Sequence, residues 1–391
     1  MEFRFTEAQE QFRRDVRAFL LSLLPPGYDP VEQDAGDEAG YALAKAIQKA
    51  LAARGWLCPG WPKEYGGGGM SFVEQAILTE EMAALRVPRV YGMGPTLVGP
   101  ALMRYGSDEQ KARHLPRIAS GDWVYWQAFS EPHAGSDLAA LRTRAVLDGD
   151  EFVLDGQKVY IGDEHEVDFL YTLVRTDPDA PRHRGISALL VDARSPGITY
   201  LPLRPLAGAR KNQIFFDRVR VPVRDLIGPL NGGWTVAMAS LGLERSGIGM
   251  VTELRQLFEE LVAYCRETER DGRPLAADPT VRARLAELKV ELERMRLFSW
   301  RTLWRQANDL PLTYEPSQGS LHTKMFGPRL AAVAAEIVGP SALVPRGSRW
   351  SALAGRLEHL QRSSLLTHGG GTPEIQKNII AQRGLDLPRG R

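Results

Sequence analysis

The passage QAFSEPHAGSD, residues 127–137, ends an apolar run in a cluster of small and hydroxyl-bearing residues. The hydroxyls of Ser130 and Ser136, with backbone N–H groups at Ala134, Gly135 and Ser136, suit the cradling of a phosphate or of the polar edge of a flat ring. Composition alone favours a plainer reading, a polar turn that closes a strand. A second passage, LTHGGGTPEIQ over 366–376, sets three glycines between a histidine and a threonine just ahead of a helix-like run. A third, SLGLERSGIGM, holds one carboxylate, Glu244, followed by Arg245. Taken alone, Glu244 reads as one more charged residue on a helix, paired with a basic neighbour. Its surroundings weaken that reading, because Ala237, Met238, Leu241, Leu243, Ile248 and Met250 make the segment apolar. Glycines at 242, 247 and 249 lower helix stability and open space beside it. Desolvation in such a pocket raises a carboxyl pKa, which suits a general base that must afterwards release its proton.

Other chemistries find little support. No G-x-G-x-x-G follows a strand and no G-x-x-x-x-G-K-[ST] occurs, which argues against Rossmann and P-loop nucleotide sites. Ser130 and Ser136 lack a G-x-S-x-G elbow. No H-E-x-x-H pair occurs, and Glu164, His165 and Glu166 are adjacent and point different ways, so no metal site is expected. The glycine run 66–69 reads as a tight connection.

The elements that must position these residues follow from periodicity. Up to about Gly121 the pattern is helical, with capping boxes at Thr6/Gln9, Ser71/Glu74 and Ser107/Gln110 and apolar residues at Phe12, Val16, Phe19 and Leu20. From about Trp123 to Pro222 it becomes β-rich: VYWQAFS, FVLDGQKVYI, DFLYTLVRT, ISALLVDA, ITYLPLRPL and QIFFDRVRV, separated by turns as in a sandwich or small barrel. Helical stretches return at 234–268, 278–308 and 317–338, with two shorter ones after Ser348, as in an antiparallel bundle.

A chain of 391 residues can bury a full core without disulfides or metal. With 49 basic against 48 acidic side chains, nucleic acid is an unexpected principal partner. The cysteines, Cys58 and Cys265, form no framework spacing, so a reducing cytoplasmic compartment is expected and both should only pack. The amino-terminal residues lack the pattern of a signal peptide, and no apolar run approaches the roughly 18 to 20 residues of a membrane span, so neither export nor a membrane is expected.

The 127–137 passage closely resembles the flavin-binding signature of the acyl-CoA dehydrogenases, T/S-E-P-x-A-G-S-D. The resemblance continues in family order and spacing through FTEAQEQFRRDVRAFL, GWPKEYGGGGMS, LDGDEFVLDGQKVYI, RGISALLVD, FFDRVRVP and GGGTPEIQKNII, covering nearly the whole chain. The helical, β and helical thirds match that family's α+β architecture: an N-terminal helical domain (1–121), a middle β-barrel or sandwich domain (122–230) and a C-terminal four-helix bundle (231–391).

The resemblance implies an FAD enzyme that converts an acyl-CoA thioester to the trans-2-enoyl-CoA and passes electrons to an electron-transfer flavoprotein. It implies Phe129 and Ser130 along the flavin edge, Gln127 lining the same cavity, and Gly135 and Ser136 at the cofactor phosphates or the substrate pantetheine. In the second flavin strand the family usually reads K-x-W-[IT]-[ST], its last hydroxyl donating to flavin N5. Here Tyr160 keeps the aromatic wall and Ile161 follows, but Gly162 replaces the hydroxyl. Many relatives carry the base just before the G-T of the terminal loop, where this chain has Gly370. A second subgroup, resembling the isovaleryl, long-chain and many actinobacterial enzymes, places it on a C-terminal-domain helix in an L-E-R context, which implies Glu244. Gly370 then offers its backbone N–H to the thioester carbonyl, with Arg245 and Gly371 on the substrate side. Thr372 and Glu374 match flavin contacts, and Arg270 matches an arginine that reaches a neighbouring subunit's FAD. The Q-x-x-G-G-x-G element appears as Glu336 to Ser341, including Gly339, and is altered. A homodimer or homotetramer is implied. The rivals are a partly degenerate subunit of a hetero-oligomer, a flavin oxidase or monooxygenase of the same fold, and a non-enzymatic flavoprotein that binds another macromolecule.

Overall fold

The computed structural model describes residues 5–28, 38–90, 92–163, 165–207, 210–240, 247–364 and 368–388. The first layer is helical: α1 (Glu7–Leu23), α2 (Glu38–Ala53), α3 (Phe72–Ala84), α4 (Gly99–Tyr105) and α5 (Asp108–Ala119). All three capping boxes form: Thr6, Ser71 and Ser107 each accept from the amide three residues on, whose side chain returns the bond. Two orphan amides per helix start are thereby satisfied. Val16, Leu20, Ile47, Leu51 and Leu78 close a core among α1, α2 and α3.

The middle of the chain forms a mixed eight-stranded sheet, β1 (Tyr125–Ala128), β2 (Arg144–Asp148), β3 (Glu151–Ile161), β4 (Phe169–Arg175), β5 (Ile186–Asp192), β6 (Ile198–Leu203), β7 (Lys211–Pro222) and β8 (Leu226–Ile227). The order is β6-β7-β3-β2-β4-β5-β8, with β1 parallel to β4. A single residue pair, Arg144 with Arg175, joins β2 to β4, so the sheet folds into two leaves there. Phe152, Leu154 and Ile214 of one leaf meet Leu170, Leu189 and Val191 of the other in one core. β4 is buried on both faces: Phe169, Tyr171 and Leu173 turn from that core toward Leu102, Leu115 and Ile118 of α4 and α5. That burial accounts for its unbroken apolar run. The sequence reading missed β2, whose RAVLD is mostly exposed and carries little alternation.

The last third comprises α6 (Gly233–Ser240), α7 (Ile248–Glu267), a short hairpin β9 (Glu269–Arg270) and β10 (Arg273–Pro274), α8 (Pro279–Ala307), α9 (Glu315–Val338), α10 (Arg356–Ser363) and α11 (Pro373–Gly384). Leu261, Leu288, Leu292, Phe326, Leu330 and Leu357 form the bundle core. Asp278 caps α8, and Thr372 caps α11.

Candidate functional site

A buried ion pair fixes the junction where β1 runs into the 127–137 loop. Lys158 on β3 is 0% exposed, and its Nζ donates to Glu131 Oε1 at 2.8 Å, to the Phe129 carbonyl at 3.1 Å and to the Leu173 carbonyl at 2.7 Å. Glu131 also accepts from the amides of Arg142 at 2.7 Å and Thr143 at 2.9 Å. Burial pushes the Lys158 ammonium down to about 8, against the opposing pull of Glu131. Burial alone would raise Glu131, but the Lys158 charge and the donors around it win and hold the carboxyl below its ordinary value. A buried pair survives on such terms only when its hydrogen-bonding capacity is filled, as here. These two residues stood inside the S-E-P and G-Q-K stretches of the sequence, yet no site role was drawn from them. The signal was their identity as charges within strand-ending motifs.

The loop differs from expectation in one respect. The Ala134 amide is not free, because it donates to the Glu131 carbonyl at 3.0 Å while Glu131 returns a bond of 3.0 Å. Gly135 and Ser136 are exposed, and a Cβ on Gly135 would meet nothing within 4 Å. Phe129 is buried, its ring 5.1 Å from that of Tyr171. Gln127 and Ser130 stay partly exposed, and the Ser130 carbonyl accepts from Val159 at 2.9 Å.

At the far end of β3 the pairing with β7 slips between Lys158 and Ile161, a bulge that re-aims the chain. Tyr160 takes φ +62° and leaves 62% of its surface exposed, while Ile161 returns to the core. Lys211 Nζ holds the Gly162 carbonyl at 2.7 Å, and Asn212 Nδ2 holds those of Ile161 at 3.2 Å and Asp163 at 2.8 Å. Gly162 has φ +63°, and a Cβ there would lie 2.2 Å from Cδ2 of Trp126. The indole explains the missing hydroxyl, because it fills the space beside position 162. Trp126 is itself buried, and its Nε1–H has no partner among the described residues.

The terminal glycine loop comes to this strand end, with the rings of Tyr160 and His368 6.5 Å apart. Gly370 and Gly371 have φ +66° and +91°, and a Cβ on Gly370 would meet nothing within 4 Å. Gln376, buried on α11, donates through Nε2 to the Gly370 carbonyl at 3.0 Å, and Lys324 of α9 donates to the Gly369 carbonyl at 2.5 Å. The Thr372 Oγ1 accepts from Ile375 at 3.2 Å as a helix cap. Glu374 is exposed in the first turn of α11, held below its ordinary range by backbone N–H donors and Thr372.

Arg270, Glu336 and Gly339 gather elsewhere, where Arg270 Nη2 donates to the Ile337 carbonyl at 2.8 Å and Glu336 faces Arg284 at 3.9 Å. Glu244, Arg245 and Glu164 lie outside the described residues. Among the described residues no group of three His, Cys, Asp or Glu could hold a metal, and no helix is long and apolar enough to cross a membrane. The exposed loop residues Gly135 and Ser136, the exposed Tyr160 ring and open space beside Gly369 and Gly370 suit a flat, phosphate-bearing cofactor.

Sequence profiles of the acyl-CoA dehydrogenase N-terminal, middle and C-terminal domains match residues 6–122, 127–219 and 231–385. The acyl-CoA dehydrogenase FadE26 of Mycobacterium tuberculosis is 35% identical over 401 residues, covering 100% of this chain and 99% of the relative. Among solved structures, the Tcur3481-Tcur3483 steroid ACAD superposes with TM-score 0.89 at 35% identity, covering 100% of both chains. The ChsE4-ChsE5 complex from Mycobacterium tuberculosis does so with TM-score 0.90 at 33% identity, again covering 100% of both. With the three domain profiles matched in order along the chain, it belongs to the acyl-CoA dehydrogenase family, flavin-dependent oxidoreductases that act on CH–CH groups.

Proposed function

We propose that this chain binds FAD and dehydrogenates an acyl-CoA thioester to its trans-2-enoyl product, with Glu244 as general base and an electron-transfer flavoprotein as acceptor. The observation that carries the reading is the meeting of the β3 end with the glycine loop, where the Tyr160 and His368 rings come within 6.5 Å. Ser130, Gly135 and Ser136 would hold the flavin edge and phosphates, and Thr372 and Glu374 its linking chain. The Gly370 amide takes the thioester oxygen, with Gly371 and Arg245 beside the substrate. When bound, FAD supplies the acceptor for the two electrons leaving the β carbon. The chain's own contribution is the other half: the α proton passes to the Glu244 carboxylate while the Gly370 N–H holds the oxygen on which negative charge develops. Glycines at 369 and 370 leave the room that a carboxylate must enter.

On this reading the three domains divide near residues 121 and 230, and the protein resides in the cytoplasm. An oligomer is expected because Arg270, Glu336 and Gly339 lie together away from the strand loop, on a surface suited to a second subunit's cofactor. The ChsE4-ChsE5 structure is named as a complex. That name, with Gly162 and the altered 336–341 element, favours a second reading, a hetero-oligomer whose flavin site is shared. The visible spectrum of the protein purified alone separates the two. A stoichiometric flavin band bleached anaerobically by acyl-CoA supports the first; a folded, colourless protein that gains the band on adding a partner supports the second. Rapid aerobic reoxidation with peroxide release would instead mark an oxidase. Steroid-derived CoA esters head the substrate panel, since a similar structure is named a steroid ACAD. Glu244→Gln that kept near-normal flavin reduction would remove Glu244 as base.

A further inference from the structure

The glycine loop is held through its carbonyls by side chains of α9 and α11. Lys324 reaches the Gly369 carbonyl at 2.5 Å and Gln376 the Gly370 carbonyl at 3.0 Å. A trans peptide is planar, so its N–H points opposite to its C=O. The Gly369 carbonyl and the Gly370 N–H belong to one peptide unit. With that carbonyl directed at Lys324 on α9, the Gly370 N–H must point away from α9. An ammonium at the oxygen also draws electron density through the conjugated unit, which leaves the N–H a stronger donor. Lys324 is half-buried, and burial lowers its pKa. Among the described residues it meets no carboxylate, and the carbonyl is its hydrogen-bond partner. Lys324 thus commits its ammonium to one backbone oxygen of the loop. Glycine at 370 and 371, with φ +66° and +91°, makes the loop too soft to keep that orientation unaided.

We propose that Lys324 is a positioning residue for dehydrogenation: by holding the Gly369 carbonyl it aims and polarises the Gly370 N–H toward the substrate's thioester oxygen. This rests on the reading of Gly370 given above. The test uses the purified flavin-loaded oligomer and a 2-enoyl-CoA labelled with 13C at the thioester carbonyl, taken as the product of the best substrate in the panel. In the unmodified protein, isotope-edited infrared spectra should show the bound carbonyl stretch shifted to lower frequency. Lys324→Met should return at least half of that shift. It should also lower kcat by roughly tenfold to a hundredfold while KM moves less than about threefold, because one oxyanion donor is weakened and not removed. Lys324→Arg should restore most of both. Lys324→Gln, which can still donate to the carbonyl without charge, should fall between and serves if the Met variant does not fold. A full carbonyl shift and unchanged kcat in both Lys324→Met and Lys324→Gln would overturn the proposal. Absence of any shift in the unmodified protein would remove the Gly370 reading itself, and the role of Lys324 with it.

Discussion

Restoring a hydroxyl at position 162 tests the account of why it is missing. A serine Cβ there would lie 2.2 Å from Cδ2, 2.3 Å from Cε3 and 2.5 Å from Cε2 of Trp126. The ring is packed on all sides, so relief must come from displaced side chains or backbone, at about 1–3 kcal/mol. The left-handed φ of +63° adds about 1–2 kcal/mol for any residue with a Cβ. Gly162→Ser should therefore cost roughly 2–5 kcal/mol. Trp126→Ala alone should cost about 3–5 kcal/mol for the cavity. With the indole gone, serine at 162 keeps only the backbone penalty, so the double variant should lose about 1–3 kcal/mol less than the sum of the two single losses. Urea unfolding followed by far-UV circular dichroism, compared at matched slope, measures this without relying on flavin or on tryptophan fluorescence. If Gly162→Ser costs under about 1 kcal/mol, or costs the same with and without Trp126, the steric explanation fails.

Three further expectations follow from buried groups. Lys158→Met should destabilise by about 3–5 kcal/mol, because it strands the Glu131 carboxylate among the Arg142 and Thr143 amides, and Lys158→Met with Glu131→Gln should recover part of the loss in the same urea assay. His114, buried with Nδ1 2.8 Å from the Tyr125 hydroxyl, has its pKa lowered by burial and then by Arg113 to about 4 from 6.5. The unfolded chain thus takes up its proton first: the stability from neutral His114 is whole above pH 6.5 and declines as pH falls toward 4, by up to roughly 1.4 kcal/mol per unit, a slope that His114→Phe should flatten. Burial pushes the Cys58 thiol up to about 12, so at pH 8 iodoacetamide should leave it unmodified in the folded protein and label it once urea unfolds the chain, as followed by mass spectrometry.

Local signals carried far in this chain. The capping boxes at Thr6, Ser71 and Ser107 are contests between a side chain and amides three residues away, and all three formed where the spacing put them. The apolar run DFLYTLVRT marked a strand because β4 is buried on both faces, whereas RAVLD in β2 lies mostly exposed and left no comparable trace. The departures at Gly162 and Gly370 were also legible, since each is a residue type where another was expected.

By itself, then, the sequence determined the order of helical, β and helical thirds, the family, and the places where the motifs depart from that family's pattern. These depend on neighbours a few residues apart or on motifs read whole. Only the tertiary structure decided what stands against these motifs: Trp126 beside Gly162, Glu131 against Lys158, and Lys324 on the Gly369 carbonyl. Each of these pairs joins elements tens of residues apart. Sheet pairing and helix packing set such contacts, and no local periodicity encodes them.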